Sequence, residues 1–327
     1  MSVAVIGAGA WGTALAAAMA RGAAPCTLWG RDGGVIAEVN ARRRNTYYLG
    51  NIELPAAIGA TTDAAEALAG AEHVLFAVPA QTLRAVLGEM AGRVPPGALL
   101  VSCAKGIERE TGRTMTEVMG EIAPGHRHAV LSGPSFAADV SAGLPTAVTV
   151  AMDDLEAALA ASRALSRPGL RCYASDDPVG VEQGGALKNV LAIAAGIVDG
   201  RRLGASALAA LTTRGFAEMS RLAMALGARA ETLSGLSGLG DLILTCASAQ
   251  SRNFTYGRAI GRGEDPSGLK LAEGVPTAAI ADRIARQHGI DAPIIATVAA
   301  ILSGRLDVDI AIATLLARPI RPELRQG

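Results

Sequence analysis

The chain begins with an apolar strand, a glycine-rich turn and a helix, and this combination limits its possible folds more than any other feature. The stretch VAVIGAGAWGTALA places Gly7, Gly9 and Gly12 in the spacing Gly-x-Gly-x-x-Gly directly after the strand. Glycines in this context allow a tight turn, close approach of the backbone to a pyrophosphate and close packing of helix on strand. The helix N-terminus also attracts phosphate charge. The stretch therefore predicts a dinucleotide-binding unit, and the alternative is an ordinary glycine-rich turn.

The end of the next apolar strand bears on which dinucleotide would bind. The strand ends in TLWGRD, so Arg31 and Asp32 stand about 20 residues after the glycines, where the ribose is normally recognised. An arginine suits the 2′-phosphate of NADP, whereas an aspartate accepts a hydrogen bond from the 2′-hydroxyl of NAD. Either residue could instead cap the following helix. We expect NADP or NAD, with NADP preferred.

Apolar runs alternate with alanine-rich helical segments as far as residue 178. The predicted strands are SVAVIG, CTLWG, HVLFAV, ALLVSC, HAVLSG, TAVTVA and LRCYAS, and helices are predicted to start near residues 11, 32, 80, 113 and 153. Continuous apolar strands separated by helices are typical of a parallel sheet that is buried on both faces. We therefore expect an α/β fold with an N-terminal Rossmann-like, doubly wound domain over residues 1–178.

The strand pattern stops after residue 178, and the remaining sequence predicts helices. Their expected ranges are 180–199, 205–227, 239–247, 252–262, 276–288, 293–302 and 308–316. The run Asp176-Asp177-Pro178 supplies a cap and a first-turn proline for the first of these helices. We expect an all-α domain over residues 179–327 that binds substrate and carries catalysis.

Composition excludes several classes of function. Thirty acidic residues balance thirty basic ones, so no overall field favours nucleic acid or an anionic membrane surface. No apolar run reaches the length of a membrane-spanning helix. The four cysteines lack metal-ligand spacing, and no carboxylate accompanies the pair His126 and His128 at a ligand spacing. We expect a cytoplasmic protein without disulfides, metal, a nucleic-acid partner or membrane insertion.

Lysine is scarce in this chain. Lys105, Lys188 and Lys270 are its only lysines among 30 basic residues. Lys188 lies in the otherwise apolar run GGALKNVLA. A buried ammonium can lose its proton, whereas a guanidinium effectively cannot. The pattern indicates proton transfer at Lys188, and the alternative is a surface lysine whose stem lies along apolar neighbours.

Taken together, the motifs resemble the bacterial-type NAD(P)-dependent glycerol-3-phosphate dehydrogenases. The resemblance runs nearly end to end, through GAGAWGTALA, LWGRD, CAKGIE, LSGPSFAADV, GGALKNVLAIAAGIVDG, GLSGLGDLILTC and SRNFTYGRAIG. It implies reduction of dihydroxyacetone phosphate to sn-glycerol 3-phosphate with NAD(P)H, for glycerophospholipid synthesis. It also implies an active site between the two domains and a homodimer. The chain departs from the family pattern at Ala80, Ala104 and Ser206.

The resemblance also implies roles for individual residues. Lys188 would transfer the proton, Asp241 would accompany it as an acid, and Thr245 would be a polar neighbour. The implied substrate-binding residues are Lys105, Gly133, Ser135, Lys188, Asp241, Ser251, Arg252 and Asn253. The implied cofactor-binding residues are Gly7, Gly9, Ala10, Trp11, Gly12, Arg31, Lys105, Ala137, Arg252 and Glu273.

Other interpretations of these residues stay open from the sequence. Asp241 and Ser251 could each cap a helix in place of the role that the resemblance implies. A Rossmann domain joined to a helical domain does not fix the substrate, so a dehydrogenase acting on a hydroxy or keto acid is the main alternative. A sensor that binds NADP without catalysis would not need Lys188, Asp241 and Arg252 together.

Overall fold

The computed structural model describes residues 2–21 and 25–319, and its strands form one sheet. The strands are β1 (Val3–Ile6), β2 (Cys26–Trp29), β3 (Ile58–Thr61), β4 (His73–Phe76), β5 (Leu99–Ser102), β6 (Arg127–Ser132), β7 (Thr146–Ala151) and β8 (Leu170–Ser175). Their order is β3-β2-β1-β4-β5-β6-β7-β8. The first six follow the order of dinucleotide-binding folds, whose ligand binds where the order reverses, between β1 and β4.

The sheet differs from the sequence expectation in two places. β7 runs antiparallel to β6, and β8 runs parallel to β7, so the fully parallel sheet that we expected is wrong at this edge. Antiparallel neighbours need no crossover, and the connection from β6 to β7 contains only a short helix, Ala137–Ala142. β3 was not predicted, because its sequence IGAT buries only its first and last residues and carries little β signal.

Helices cover both faces of this sheet, as expected for the doubly wound fold. They are α1 (Ala10–Ala20), α2 (Gly33–Arg42), α3 (Thr46–Leu49), α4 (Ala64–Leu68), α5 (Leu83–Met90), α6 (Met115–Ile122), α7 (Ala137–Ala142) and α8 (Leu155–Leu165). One buried apolar cluster joins one sheet face to α1, α7 and α8, and another joins the opposite face to α4, α5 and α6.

The second half of the described chain is helical, as predicted. Its helices are α9 (Pro178–Gly200), α10 (Ala205–Ala225), α11 (Ala230–Leu233), a π-helix (Leu236–Gly240), α12 (Asp241–Cys246), α13 (Arg252–Arg262), α14 (Gly274–Gln287), α15 (Pro293–Leu302) and α16 (Val308–Leu316). None of the described helices combines the length and apolarity needed to cross a bilayer. The boundary at 178 stays a prediction. Residues 1, 22–24 and 320–327 of the predicted domains lie outside the described residues.

Helix α9 is the centre of the helical half. It is buried continuously from Gly180 to Val198, which explains its apolar character on all sides. It also contacts α13 backbone to backbone. A Cβ added at Gly196 would lie 2.1 Å from the Phe254 carbonyl oxygen, and one added at Gly257 would lie 2.0 Å from the Ile193 carbonyl oxygen. The position of α13 along α9 is therefore fixed by glycines.

We expect Gly257→Ala to destabilise the protein by about 1–3 kcal/mol or more, because an added methyl group must push two helix backbones apart. The matched control is Gly88→Ala. Gly88 lies in the interior of α5, and a Cβ there meets no described atom within 4 Å. The control should be neutral or slightly stabilising, since alanine is the better helix former. Equal unfolding free energies for the two variants in urea would contradict the close contact.

Candidate active site

The glycine-rich turn has the shape that a dinucleotide pyrophosphate requires. Gly7 has φ 117°, and a Cβ there would lie 2.9 Å from the Ala77 carbonyl oxygen. A Cβ on Gly12 would overlap the Gly7 carbonyl oxygen, at 1.8 Å. Gly9 caps α1, and no described atom lies within 4 Å of the Cβ it lacks. The N-terminus of α1 thus faces open space, and these residues fit a nicotinamide dinucleotide.

The first turn of α1 offers a further polar group. Ala10 begins the helix, and the indole Nε1 of Trp11 is buried without a hydrogen-bond partner among the described residues. Behind the turn, the buried Asn45 side chain donates to the Ala8 carbonyl oxygen at 3.0 Å and to Thr13 Oγ1 at 2.8 Å. Asn45 therefore fixes the turn from outside the motif. Sequence reasoning missed it, because nothing in its local sequence marks it.

At the end of β2, the adjacent residues Arg31 and Asp32 make different contacts. Asp32 Oδ1 accepts hydrogen bonds from the backbone N–H groups of Gly34 at 2.8 Å and Val35 at 3.2 Å, so Asp32 caps α2. Arg31 is exposed, and its Nη2 lies 3.5 Å from Glu89 Oε2 on α5. The capping alternative applies to Asp32, which leaves Arg31 as the residue available to a ribose substituent.

A buried carboxylate shared by two lysines lies where the two halves meet. Lys105 Nζ, from the loop after β5, lies 2.7 Å from Asp241 Oδ2. Lys188 Nζ, from the middle of α9, lies 3.2 Å from Asp241 Oδ1 and donates to Thr245 Oγ1 at 2.7 Å. The side chains of Asp241 and Lys188 are 2% and 7% exposed. The structure thus brings together all the residues predicted for catalysis.

The charges in this cluster do not balance, and this decides which group can lose a proton. Burial opposes ionisation of Asp241, but the ammonium groups of Lys105 and Lys188 hold its pKa below the usual value. Burial lowers the pKa of Lys188 to about 8, against the attraction of Asp241 and with the help of repulsion from Lys105. One anion cannot neutralise two cations, so Lys188 can release its proton near neutral pH.

A π-helix lies immediately before Asp241 in the chain. In it, the Gly240 N–H donates to the Gly235 carbonyl oxygen at 3.0 Å, five residues back. Asp241 is the first residue of α12, but the helix is capped by Gly240 and not by the Asp241 side chain. The capping alternative for Asp241 is therefore wrong. π-helical turns are rare and often lie at functional sites.

The sheet half contributes a second wall of the site. The Gly133 carbonyl oxygen accepts from Lys105 Nζ at 2.8 Å and from Ser135 Oγ at 2.9 Å. Gly133 has φ 149°, and a Cβ there would lie 2.9 Å from Val148 Cα, so no other residue fits without strain. Ala137 begins α7 just beyond. Lys105, Gly133 and Ser135 therefore form one connected group.

The start of α13 holds the other predicted substrate residues. Ser251 Oγ caps this helix by accepting from the Phe254 N–H at 3.2 Å. Asn253 is buried, donating to Asn189 Oδ1 at 2.8 Å and accepting from the Gly274 N–H at 2.8 Å. Ser251 and Asn253 are therefore already bonded within the protein, whereas Arg252 is exposed at the helix start.

Asn189 connects these groups, and sequence reasoning missed it. Its Nδ2 donates to the Lys105 carbonyl oxygen at 3.0 Å, and its Oδ1 accepts from Asn253. Its position next to Lys188 was the available signal.

Farther along, Glu273 Oε1 accepts from the Ala80 N–H at 3.3 Å. Burial raises the pKa of Glu273, against that hydrogen bond and the attraction of Arg252. Ala80 is one of the positions where the chain departs from the family pattern, but this contact uses its backbone N–H and so does not depend on the side chain.

Among the described residues, no group of three or more His, Cys, Asp or Glu side chains could hold a metal ion. His126 Nδ1 lies 3.2 Å from the Ala98 carbonyl oxygen, and His128 Nε2 lies 3.1 Å from the Ala123 carbonyl oxygen. Both imidazoles are thus used by the backbone.

A dinucleotide-binding sheet joined at its carboxyl edge to a buried lysine and aspartate is the architecture of a two-domain NAD(P)-dependent dehydrogenase. Family models described as the NAD-dependent glycerol-3-phosphate dehydrogenase N-terminus and C-terminus match residues 2–158 and 177–313. The chain belongs to the NAD-dependent glycerol-3-phosphate dehydrogenase family.

Proteins that are similar to this chain over nearly their full length have names of the same kind. The chain is 55% identical to the glycerol-3-phosphate dehydrogenase [NAD(P)+] of Brucella ovis, over 98% of both chains. It is 56% identical to that of Chelativorans sp., again over 98% of both chains. The crystal structure of glycerol-3-phosphate dehydrogenase from Coxiella burnetii matches with a TM-score of 0.92 at 37% identity, covering 97% of this chain and 99% of that one.

Selective ¹³C labelling of lysine should show directly whether Lys188 has the lowered pKa. The chain has three lysines, so the spectrum contains few signals, and Lys188→Arg assigns the relevant one. We expect the Lys188 Cε shift to titrate near pH 8. In Asp241→Asn the midpoint should fall further, because the neighbouring Lys105 charge is no longer opposed. A Lys188 midpoint near its ordinary value of about 10.4 would contradict the role of burial.

Proposed function

We propose that this chain catalyses the reversible reduction of dihydroxyacetone phosphate to sn-glycerol 3-phosphate with NAD(P)H, in the cytoplasm, for glycerophospholipid synthesis. The observation that carries the proposal is the Lys188 ammonium, buried against Asp241 and Thr245 where the dinucleotide-binding half meets the helical half. The names of relatives that are 55% identical over 98% of the chain support the substrate.

Lys188 is the proton donor in this proposal. During reduction the ketone oxygen of the substrate becomes an alkoxide, which a positioned ammonium stabilises and then protonates. In the oxidation direction the neutral amine accepts the proton of the C2 hydroxyl. Asp241 and Thr245 hold the amine in place, and Lys105 supplies a second positive charge from the sheet half. The bound nicotinamide supplies or accepts the hydride.

The phosphate of the substrate is proposed to bind at the start of α13. A three-carbon substrate offers little surface, so its phosphate must provide most of the binding energy. The free N–H groups of the first helical turn and the exposed Arg252 guanidinium are suited to a dianion. Ser251 and Asn253 are bonded within the protein. Their role in this proposal is to hold the turn in shape, with their remaining hydrogen-bonding capacity left for the phosphate.

The proposed dinucleotide site comprises Gly7, Gly9, Ala10, Trp11 and Gly12. The other proposed cofactor residues are Arg31, Lys105, Ala137, Arg252 and Glu273. We propose that NADP is preferred over NAD, and Arg31 supports this, since Asp32 is occupied as a helix cap. A homodimer is also proposed, on the resemblance to the family.

The experiment that tests the proposal compares three carbonyl substrates by the oxidation of NADPH. They are dihydroxyacetone phosphate, unphosphorylated dihydroxyacetone and a keto acid. We expect turnover of the phosphorylated ketone alone, and Arg252→Ala should lower its kcat/KM about tenfold or more through loss of a charge-assisted contact. Preferential turnover of the keto acid would favour the alternative substrate class and refute the proposal.

We expect Lys188→Arg to bind NADPH like the parent but to lose about 10² to 10⁴ in kcat, because arginine keeps the charge and cannot exchange the proton. In the parent, kcat/KM for glycerol 3-phosphate oxidation should rise with pH, with its midpoint near pH 8, and level off above it, since the neutral amine is the base. Reduction should decline above that pH. Near-parental kcat in Lys188→Arg would show that position 188 supplies charge only.

Cofactor preference should depend on Arg31. In direct binding titrations, Arg31→Ala should weaken NADPH about tenfold or more, by loss of a charge-assisted contact, and should leave NADH nearly unchanged. Glu89→Gln serves as the matched variant, because it removes the carboxylate that pairs with Arg31. It should tighten NADPH slightly. Equal weakening of both cofactors by Arg31→Ala would assign Arg31 a structural role.

A further inference from the structure

A buried glutamate of α9 reaches from the helical half into the sheet half. Glu182 is 5% exposed, and its Oε1 accepts from the backbone N–H of Thr116 at 2.9 Å. Its Oε2 accepts from the Thr116 hydroxyl. Thr116 lies in the first turn of α6, which packs on β5, β6 and α5. Thr114 and Glu117 already form a capping box at this helix start, and Glu182 binds the further N–H group of Thr116. The carboxylate of one half is therefore bonded to the first turn of a helix in the other half.

Glu182 lies six residues before Lys188 on the same helix, which is about 1.7 turns. Between them, α9 fits closely against both of its neighbours. A Cβ added at Gly184 would lie 2.9 Å from the Ser237 carbonyl oxygen, in the π-helix that precedes Asp241. A Cβ added at Gly185 would lie 2.6 Å from Ser132 Oγ and 3.6 Å from Lys105 Cγ. A shift of α9 would therefore move Lys188 relative to both Asp241 and Lys105.

The helical half contains a second carboxylate of the same kind, which offers a comparison. Glu218 on α10 is 3% exposed and accepts from the backbone N–H groups of Ile294 at 2.8 Å and Ile295 at 3.2 Å, at the start of α15. Burial raises the pKa of both glutamates to about 7, against the hydrogen bonds that each accepts. The two differ in one respect, because the bonds of Glu218 stay within the helical half.

We propose that Glu182 is a positioning residue, which sets the depth of α9 against the sheet half through Thr116 and so places Lys188 for proton transfer. The inference rests on the proposed function, and it concerns a residue that does not touch the reacting atoms. A carboxylate that only stabilised the fold would affect unfolding as Glu218 does and would leave the chemistry alone. A positioning carboxylate affects both, because small displacements of a catalytic group cost up to about 10² in rate.

The test compares Glu182→Ala with Glu218→Ala in the full-length protein. Both should lower Tm. Glu182→Ala should lower kcat for dihydroxyacetone phosphate about tenfold or more, with the Kd of NADPH within about threefold of the parent. It should also shift the midpoint of the Lys188 ¹³C titration. Glu218→Ala should leave kcat within about twofold and the midpoint unchanged.

Two milder variants decide the question if Glu182→Ala does not fold. Thr116→Val removes only the hydroxyl donor, so it should lower kcat and shift the midpoint of the Lys188 titration. Thr116→Ser keeps both donors, so its kcat and titration midpoint should match those of the parent. Equal losses of kcat in the Glu182 and Glu218 variants would overturn the inference. So would a parental kcat and an unchanged Lys188 titration midpoint in the Glu182 and Thr116→Val variants. A parent enzyme that does not reduce the ketone would refute the proposed function instead, and the Lys188 titration would still test the placement of α9.

Discussion

The sharing of one buried carboxylate by two ammonium groups controls both the geometry and the chemistry of the junction. Asp241 binds Lys105 of the sheet half and Lys188 of the helical half, so a single side chain joins the two halves at the point of reaction. Ionised partners in a buried position are stable only when each is paired and hydrogen-bonded. Here the pairing is incomplete by one charge. Burial, with that deficit added to it, lowers the pKa of Lys188 and lets it release a proton.

The precision of this arrangement depends on backbone contacts. The glycines of α9 and α13 let the two helices touch, which fixes the start of α13 relative to Lys188. The amide side chains of Asn189 and Asn253 then connect the Lys105 loop to α13 and to the start of α14. These hydrogen bonds are buried or partly buried, and each is specific in direction. The substrate and proton-transfer groups are therefore held by the core of the helical half and not by surface loops.

The fold and much of the site could be predicted from the sequence, because the signals are local. The Gly7–Gly12 turn, the apolar strands and the isolated Lys188 are visible in short windows. Signals that depend on tertiary contact were missed or stayed ambiguous. The antiparallel pairing of β7 with β6 cannot be read from the apolar sequence of β7, and Asp32 could be assigned as a cap only once α2 was in view. Asn45 and Glu182 act across long sequence separations that no local pattern reveals, and Asn189 is marked only by its place next to Lys188.

The unbalanced cation at the junction also affects how substrate arrives. The protein has a formal net charge of zero, so its distant field gives a dianionic metabolite little guidance. Attraction begins only within about 8 Å of the lysines at physiological ionic strength. Capture should therefore depend mainly on random encounter, and its rate constant should respond weakly to added salt. Retention, by contrast, is electrostatic, so ionic strength should act mainly on the rate at which the bound phosphate escapes.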